Sequence, residues 1–230
     1  DSANSSQKPR CVIDRISNFY ETEYSNVGRS VHSLAVKATN RFEDTRDKVK
    51  KYINAKHREE IIFTKGATES INLVANSYGK NFIKKGDEIL ITELEHHSNY
   101  VPWNFIRESV GAVIKFAPIN KKGEIEVDDI RKLISDKTKI IAVTHLSNVT
   151  GAIIPIKKIV DIAKSKKIPV LVDGTQGAPH LEIDMQSLGC DFYAISCHKM
   201  YGPNGLGVLY MKKKWADILP PYQGGGGMIN

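Results

Sequence analysis

The sequence has few of the features that mark membrane, secreted or metal-binding proteins. No apolar run approaches the roughly 20 residues that a membrane-spanning helix needs, and no secretory signal or transit peptide is visible at Asp1. There are only three cysteines, Cys11, Cys190 and Cys197, and their spacing suits neither a zinc site nor a disulfide framework. We therefore expect a reducing compartment, no metal site and no membrane association.

Acidic residues are outnumbered, and the formal net charge is +7. Most of the excess is lysine, clustered at Lys121–Lys122, Lys164 to Lys167 and Lys212 to Lys214. These clusters lie at predicted turns and helix ends without interleaved aromatic residues, so they lack the features of a nucleic-acid-binding surface. We interpret them as solvated surface and predict no nucleic-acid partner.

From Ile61 onward, short apolar runs alternate with amphipathic segments. The predicted strands are Ile61–Phe63, Glu88–Thr92, Ala112–Ala117, Lys139–Leu146, Pro169–Asp173, Phe192–Ser196 and Gly207–Met211. The predicted helices are Val12–Tyr24, Val31–Asn54, Ala67–Tyr78, Pro102–Val110, Val127–Ile134 and Ile156–Ser165. This alternation predicts an α/β fold with a mainly parallel seven-stranded sheet sandwiched by helices. We expect an N-terminal helical segment at 1–55 and a large domain at 56–230.

Two strand ends carry an acid and a lysine that one cofactor could use. Asp173 ends the run Val170-Leu171-Val172, and Lys199 follows the strand that ends at Ser196. Parallel sheets place ligands at the carboxyl ends of their strands. Pyridoxal 5′-phosphate (PLP) needs a lysine for its Schiff base and an acid for its pyridine nitrogen. The alternative is a surface lysine near a surface aspartate, but both residues end apolar runs.

Other polar residues follow neighbouring strands. Gly66-Ala67-Thr68 follows a strand and opens a helix, which favours a phosphate at the free N–H groups. Ser196 and His198 flank the lysine turn and could donate to the same phosphate. Taken alone, such a glycine turn is more often an ordinary helix cap.

A second group of residues could contact the ring and the substrate. Either His96 or His97 could stack on a planar ring or move a proton, Asn148 could bind a carboxylate or a ring oxygen, and the amide of Gln176 could reach a ring hydroxyl. For the histidines, the structural alternative is a polar turn in which one of them caps the next helix. Together with Asp173 and Lys199, they occur in an order that one PLP site could use.

At these residues the chain resembles SUF-type (group II) cysteine desulfurases, which belong to the class V aminotransferase group of fold-type I PLP enzymes. The resemblance covers essentially the whole chain. The matching segments are Ser5-Ser6-Gln7-Lys8-Pro9, Asn26 to His32, Gly66 to Ala75, Glu95-His96-His97-Ser98-Asn99, Val101-Pro102-Trp103, Ser147 to Gly151, Asp173 to Gln176, Ser196 to Pro203 and Gly224 to Gly226.

The resemblance implies a role for each site residue. Lys199 would form the Schiff base, Asp173 would bind the pyridine nitrogen, Gln176 would bind the ring hydroxyl, and His96 would stack on the ring and assist proton transfer. The phosphate would be held by Ala67, Thr68, Ser196 and His198. The residues on the substrate side would be Asn148, Arg29 and His32.

The chain also departs from the family pattern. The start Asp1-Ser2-Ala3-Asn4 stands where the family usually has an alanine pair. Gly28, Ala67 and Gly227 stand where the family commonly has histidine, threonine and an acidic residue. The resemblance further implies that the nucleophilic cysteine, a carboxylate-binding arginine and the C-terminal small domain lie beyond Asn230. Residues 56–230 would then be a truncated large domain, and residues 1–230 alone would be inactive.

The implied activity is that of a PLP-dependent cysteine desulfurase. It would take sulfur from L-cysteine as an enzyme persulfide and release L-alanine, for iron–sulfur cluster assembly in a SUF system. The implied partners are a second copy of the chain in a homodimer and a SUF-type sulfur-acceptor protein. The resemblance and the compositional bias suggest a plastid-type organelle such as the apicoplast, with bacterial cytoplasm and the mitochondrion as alternatives.

Three other functions stay open. One is another class V PLP enzyme, such as a kynureninase-like lyase or an aminotransferase. Another is a catalytically silent protein that keeps the fold for partner binding. A nucleotide-binding α/β protein is less favoured, because the sequence lacks both a P-loop ending and a Gly-x-Gly-x-x-Gly motif.

Overall fold

The structure is a computed structural model that describes residues 1–28, 31–226 and 228. Its strands are β1 (Ile61–Thr64), β2 (Glu88–Thr92), β3 (Val113–Ala117), β4 (Thr138–Thr144), β5 (Val170–Asp173), β6 (Phe192–Ser196) and β7 (Gly207–Met211). They form one seven-stranded sheet in the order β1-β7-β6-β5-β4-β2-β3.

Strand β7 runs against the rest of the sheet. It pairs antiparallel with β1 on one side and with β6 on the other, whereas β3, β2, β4, β5 and β6 pair in parallel. The connection from β6 to β7 holds only the short 3₁₀ turn Cys197–Lys199. A parallel neighbour would need a longer crossover, so the short connection reverses β7.

Helices cover both faces of this sheet. They are α1 (Arg10–Asn18), α2 (Ser33–Tyr52), α3 (Ala67–Val74), α4 (Lys80–Phe82), α5 (Val101–Val110), α6 (Val127–Leu133), α7 (Ile156–Ser165), α8 (Gly177–His180), α9 (Met185–Leu188) and α10 (Lys213–Ala216). Short π-helical segments follow α1 at Phe19–Glu23 and α3 at Ala75–Gly79. Further 3₁₀ turns span Arg58–Glu60 and His97–Asn99.

The core consists of two layers, one on each face of the sheet. Successive strand residues point to opposite faces, so Ile89 and Ile91 pack in one layer while Leu90 packs in the other. Helices α3 and α5 cover the first layer, and α6, α7 and α9 cover the second. Burial on both faces explains why the five inner strands, β7, β6, β5, β4 and β2, are almost continuously apolar.

The predicted α/β class, the seven strands and the mainly parallel sheet are confirmed. The helices agree less well, because the predicted helix at 67–78 is interrupted after Val74 by the π-helical segment. The apolar residues of α2 differ in burial: Ala38 is buried, while Leu34 and Phe42 are exposed among the described residues. The proposed division into 1–55 and 56–230 stays a prediction.

Among the described residues, no helix combines the length and hydrophobicity that a membrane crossing requires. Nor do three or more His, Cys, Asp or Glu side chains of those residues come together in a way that could hold a metal ion.

Candidate functional site

A cleft opens where the carboxyl ends of β2, β4, β5 and β6 meet the start of α3. Its walls come from turns that follow different strands, as expected for a parallel sheet. The lining residues are Ala67, Thr68, His96, Ser98, Thr144, Leu146, Asn148, Asp173, Thr175, Gln176, Ser196, His198 and Lys199. All nine residues predicted to contact the cofactor therefore lie in one cleft.

Asp173 forms the floor of the cleft. It is the last residue of β5 and only 3% exposed. Its Oδ1 accepts the N–H of Thr175 at 3.0 Å, and no cation pairs with it in the described part of the chain. A buried carboxylate is costly without a charged partner, so this position fits a ligand that brings a positive charge.

Lys199 enters the cleft from the 3₁₀ turn after β6. Strands β5 and β6 are adjacent, with Asp173 paired to Ala194, so the acid and the lysine come from neighbouring strand ends. The lysine is half-buried, and no carboxylate of the described residues forms an ion pair with it. Its amine is therefore available to a ligand.

The start of α3 and the end of β6 form one polar corner. The N–H of Ala67 donates to Oγ of Ser196 at 2.8 Å. The predicted free N–H of Ala67 is thus occupied within the protein, while the Ser196 hydroxyl keeps its own proton for a ligand. Thr68 lines the same corner, and a helix start favours an anion there.

Two glycines allow this corner to form. Gly66 has φ of 155°, and Gly207, paired with Thr64 across β1 and β7, lies directly against it. A Cβ on Gly207 would lie 2.4 Å from Cα of Gly66. Only a glycine at 207 lets the two backbones approach this closely.

His198 lies on the lysine turn and also faces the cleft. Its Nδ1 is 3.2 Å from Oγ of Ser5, and burial, together with the nearby Lys199 and Lys8, lowers its pKa. A neutral imidazole at near-neutral pH can still donate one N–H to an anion.

His96 stands at the opposite wall, after β2. Its Nδ1 accepts the N–H of Ser98 at 3.1 Å and lies 2.8 Å from the Ser98 hydroxyl. Because Nδ1 is an acceptor, the neutral ring carries its proton on Nε2. The ring is exposed in this chain, so one face is open to a planar ligand.

Glu95 lies beneath His96 and was not among the predicted site residues. Its Oε1 accepts from the Thr92 hydroxyl at 2.6 Å and from the N–H of Thr144 at 2.9 Å, and its Oε2 accepts from Nδ2 of Asn99 at 2.6 Å. These bonds join the loop of His96 to the end of β4. Burial raises the pKa of Glu95 to about 8, and the charge of Asp173 adds to this rise. The three hydrogen-bond donors lower the pKa, but their effect is smaller than that of burial.

Gln176 and Asn148 line the cleft as predicted, but they differ in exposure and in their hydrogen bonds. Asn148 is exposed, whereas Gln176 is buried and its Nε2 donates to the carbonyl oxygen of Ala3 at 2.6 Å. The backbone of Ala3 therefore already binds the Gln176 amide that was expected to reach a ring hydroxyl. The neighbouring Thr175 hydroxyl is buried without a hydrogen-bond partner in the described residues.

A buried polar pair lies against the segment that follows Asp173. Nδ1 of His145 lies 2.8 Å from the Tyr193 hydroxyl, and burial lowers the pKa of His145 to about 4. A Cβ on Gly177 would lie 2.8 Å from that Nδ1, and one on Gly174 would collide with the Tyr193 ring. The two glycines after Asp173 thus leave room for the pair.

The two predicted substrate-side residues are not part of the cleft as described. Arg29 lies outside the described residues. His32 caps α2, where its Nδ1 accepts the N–H of Ala35 at 3.3 Å. Roles for both on the substrate side stay predictions.

The fold and this cleft define a class of enzyme. The family model described as aminotransferase class-V matches residues 1–230. The chain belongs to the class V aminotransferase family, whose members depend on PLP.

The chain is similar to several cysteine desulfurases, including two compared by sequence and one compared by crystal structure. The chain is 50% identical over 229 residues to a cysteine desulfurase of Yersinia pseudotuberculosis, and 50% identical over 230 residues to a probable cysteine desulfurase of Halalkalibacterium halodurans. It covers 56% and 57% of those proteins. The crystal structure of the cysteine desulfurase CsdA from Escherichia coli superposes with a TM-score of 0.92 at 40% identity, covering 100% of this chain and 58% of that one. The chain thus spans little more than half the length of the relatives it matches.

The residues present fit PLP. The buried Asp173 lacks a cation among the described residues, the Thr175 hydroxyl has no partner there, and Ser196 has a free proton beside a glycine-lined corner. A protonated pyridine nitrogen would pair with Asp173, and a phosphate would accept the proton of the Ser196 hydroxyl.

Proposed function

We propose that this chain is the cofactor-binding part of a PLP-dependent cysteine desulfurase. This proposal rests mainly on the cleft that brings together a buried Asp173 and Lys199, neither of which has an ion-pair partner among the described residues. The two relatives at 50% identity, named cysteine desulfurase and probable cysteine desulfurase, support the choice of reaction within the family.

Each end of the cofactor has candidate ligands in the cleft. Asp173 would hold the ring nitrogen protonated, and Lys199 would link covalently to the aldehyde carbon. Ser196, Thr68 and His198 would bind the phosphate, with the start of α3 adding its dipole. When bound, the protonated ring accepts the electrons released at the α-carbon of the substrate.

The chain's own residues would then orient the substrate and move its protons. Nζ of Lys199 would take the α-proton of the substrate, a role supported by its half-buried position and by the lack of an ion-pair partner among the described residues. His96 would stack on the ring and offer its Nε2 proton, since Ser98 holds Nδ1 as an acceptor. Asn148 is exposed at the mouth, where it could bind the substrate carboxylate.

In this reaction the bond between Cβ and sulfur of L-cysteine breaks. The sulfur is accepted by a cysteine thiolate of the enzyme as a persulfide, and the remaining three-carbon unit leaves as L-alanine. We assign the accepting thiolate to a part of the protein beyond residues 1–230, because none of the three cysteines of this chain lines the cleft.

We further propose the biological setting implied by the resemblance. The persulfide sulfur would pass to a SUF-type acceptor for iron–sulfur cluster assembly, and the enzyme would act as a homodimer. The resemblance and the composition favour a plastid-type organelle or bacterial cytoplasm. Sedimentation of the whole protein tests the dimer, and cell imaging of a tagged copy tests the compartment.

Trapping of the cofactor tests the site. Protein loaded with PLP and reduced with borohydride should carry the label on the peptide that contains Lys199. Lys199→Arg should abolish this label, whereas Lys65→Arg, on the exposed turn after β1, should leave it unchanged. Label on another lysine with Lys199 unmodified would refute the assignment.

Product analysis tests the reaction. From L-cysteine, the whole protein should form alanine and sulfur in equal amounts. The sulfur is counted as protein persulfide plus the sulfide that a reductant releases from it. Alanine formed from kynurenine rather than from cysteine would instead support a kynureninase-like lyase.

A further inference from the structure

The N-terminal segment, residues 3–8, lies on the turn that carries Lys199. Besides the bond from Gln176 to Ala3, Ser5 lies against the imidazole of His198, and both Ser6 and Lys8 contact the His198 backbone. These contacts join residues that are up to 193 positions apart in the sequence. The segment is therefore held by the site rather than by neighbouring sequence.

Ser6 makes the densest of these contacts. Both its N–H and its hydroxyl donate to the carbonyl oxygen of His198, each at 3.0 Å. The hydroxyl also accepts the N–H of Tyr201 at 2.8 Å. Ser6 is 6% exposed. One buried side chain thus binds the backbone immediately before Lys199 and again two residues after it.

The turn needs such an external support. Tyr201 has φ of 66°, a left-handed conformation that costs free energy for a residue with a Cβ. Tyr201 as a whole is 57% exposed, so packing of the residue does not compensate this cost. Within the turn, the carbonyl of Cys197 accepts the N–H groups of Met200 and Gly202. The N–H of Tyr201, between them, is directed to Ser6 instead.

Lys8 reinforces the same attachment. Its Nζ donates to the carbonyl oxygen of Ser6 at 2.6 Å and to that of His198 at 3.0 Å. The lysine thus closes a small ring of hydrogen bonds around the Ser6 backbone. Its charge also lies close enough to His198 to help lower the pKa of that imidazole.

We propose that Ser6 is a positioning residue for Lys199: its hydroxyl and N–H fix the backbone on both sides of the lysine and so direct the amine into the cleft. The role rests on the proposed function, because it presumes that Lys199 bonds to PLP. The attachment of Ser6 to the turn does not depend on the cofactor and can be tested without it.

Hydrogen exchange of the cofactor-free protein tests the attachment. Ser6→Ala removes the hydroxyl, and exchange in the peptide covering residues 197–203 should accelerate about tenfold, the size of one lost hydrogen bond to a buried partner. Ser6→Thr should restore the slow rate. Ser2→Ala is the matched control, since Ser2 is exposed and its side chain makes no hydrogen bond among the described residues. Equal rates in Ser6→Ala and the control would overturn the proposal.

Cofactor trapping tests the positioning. At limiting PLP, borohydride should fix about tenfold less cofactor on Lys199 in Ser6→Ala than in the unmodified protein, and the pH midpoint of the lysine-bound absorbance should move. Ser6→Thr should recover both values, and Lys8→Met should give a smaller loss. If Ser6→Ala changes neither the amount of PLP fixed on Lys199 nor the pH midpoint, the positioning role of Ser6 is overturned. Labelling of a different lysine in the unmodified protein would instead refute the proposed function, and the positioning role with it, whatever the exchange rates show.

Discussion

The backbone N–H of Ala67 donates to the hydroxyl of Ser196 at 2.8 Å, although the two residues are 129 positions apart. This bond joins the first residue of α3 to the last residue of β6. It also orients the hydroxyl, because an oxygen that accepts from the protein has its own proton left for a ligand. The corner is therefore organised for an anion without any ligand present.

Ser196→Ala should weaken cofactor binding. It removes a donor to the phosphate and leaves the Ala67 N–H without its acceptor, a loss of about 1–3 kcal/mol. We expect the dissociation constant of PLP, measured by absorbance titration, to rise at least tenfold. The control is Ser165→Ala, because Ser165 is exposed on α7 and bonds only to a nearby helix carbonyl. Similar affinities in both variants would contradict this account of the corner.

Asp173→Asn should remove most of the activity of the whole protein while preserving the fold. The amide is similar in size and can still accept the Thr175 N–H, but it cannot pair with a protonated ring nitrogen. By analogy with other preorganised electrostatic groups, we expect alanine formation to fall roughly a thousandfold. Asp161→Asn, at an exposed ion pair with Lys157, serves as the control. Turnover near normal in Asp173→Asn, with unchanged melting temperature, would contradict the proposed cofactor geometry.

His145 should make the protein less stable in acid. Its pKa falls from 6.5 to about 4 on burial, so below pH 6.5 the unfolded chain binds a proton that the folded chain does not. The free energy of unfolding should therefore decrease as the pH drops from about 6.5 to about 4, by about 3 kcal/mol in total from this group. Below that range this contribution should stay constant.

Urea unfolding at several pH values measures this effect. His145→Gln should flatten the dependence between pH 6.5 and 4, whatever its effect on absolute stability. The exposed His180 provides the control, and His180→Gln should keep the slope of the unmodified protein. An unchanged slope in His145→Gln would assign the acid sensitivity to other groups.

Residues 1–230 alone should not take sulfur from L-cysteine. Burial raises the pKa of Cys190 to about 12 and also raises that of Cys197, so neither side chain forms the reactive thiolate readily. Cys11 is exposed on α1 and does not line the cleft. Alanine formation from cysteine, compared side by side for these residues and for the whole protein, checks the prediction. Comparable rates, abolished by one of three Cys→Ser variants, would show that a cysteine of this chain is the nucleophile.

Most of the strands could be predicted from the sequence almost to the residue, because the five inner ones are buried on both faces and read as apolar runs. The edge strands β1 and β3 are only partly buried, but their sequences are still mainly apolar. Strand β4 is the exception. The prediction continued it to Leu146, but the N–H of Thr144 bonds to Glu95, and Leu146 pairs with Ile153 instead. A polar contact from another loop ended the strand, and no local pattern encodes that contact.

The site was predictable where its residues follow strands, as Asp173 and Lys199 do. Contacts between segments that are distant in the sequence could not be predicted. Nothing near Ser6 indicates that it lies beside His198, and nothing near Glu95 indicates three donors from different elements. Such positions become visible only when the turns of several strands are assembled.

The place of β1 in the sheet has a consequence for the order in which the cleft is assembled. In the described sheet β1 pairs only with β7, the last of the described strands, and Ser6 binds His198, which is 192 positions further on. Closing such long loops is entropically costly before the contacts form. During synthesis, the Gly66 turn and the N-terminal segment must therefore stay unattached until residues 198–211 have been made. Stable capture of the cofactor should therefore follow the synthesis of residues 198–211, and PLP added to a shorter nascent chain should not accelerate it.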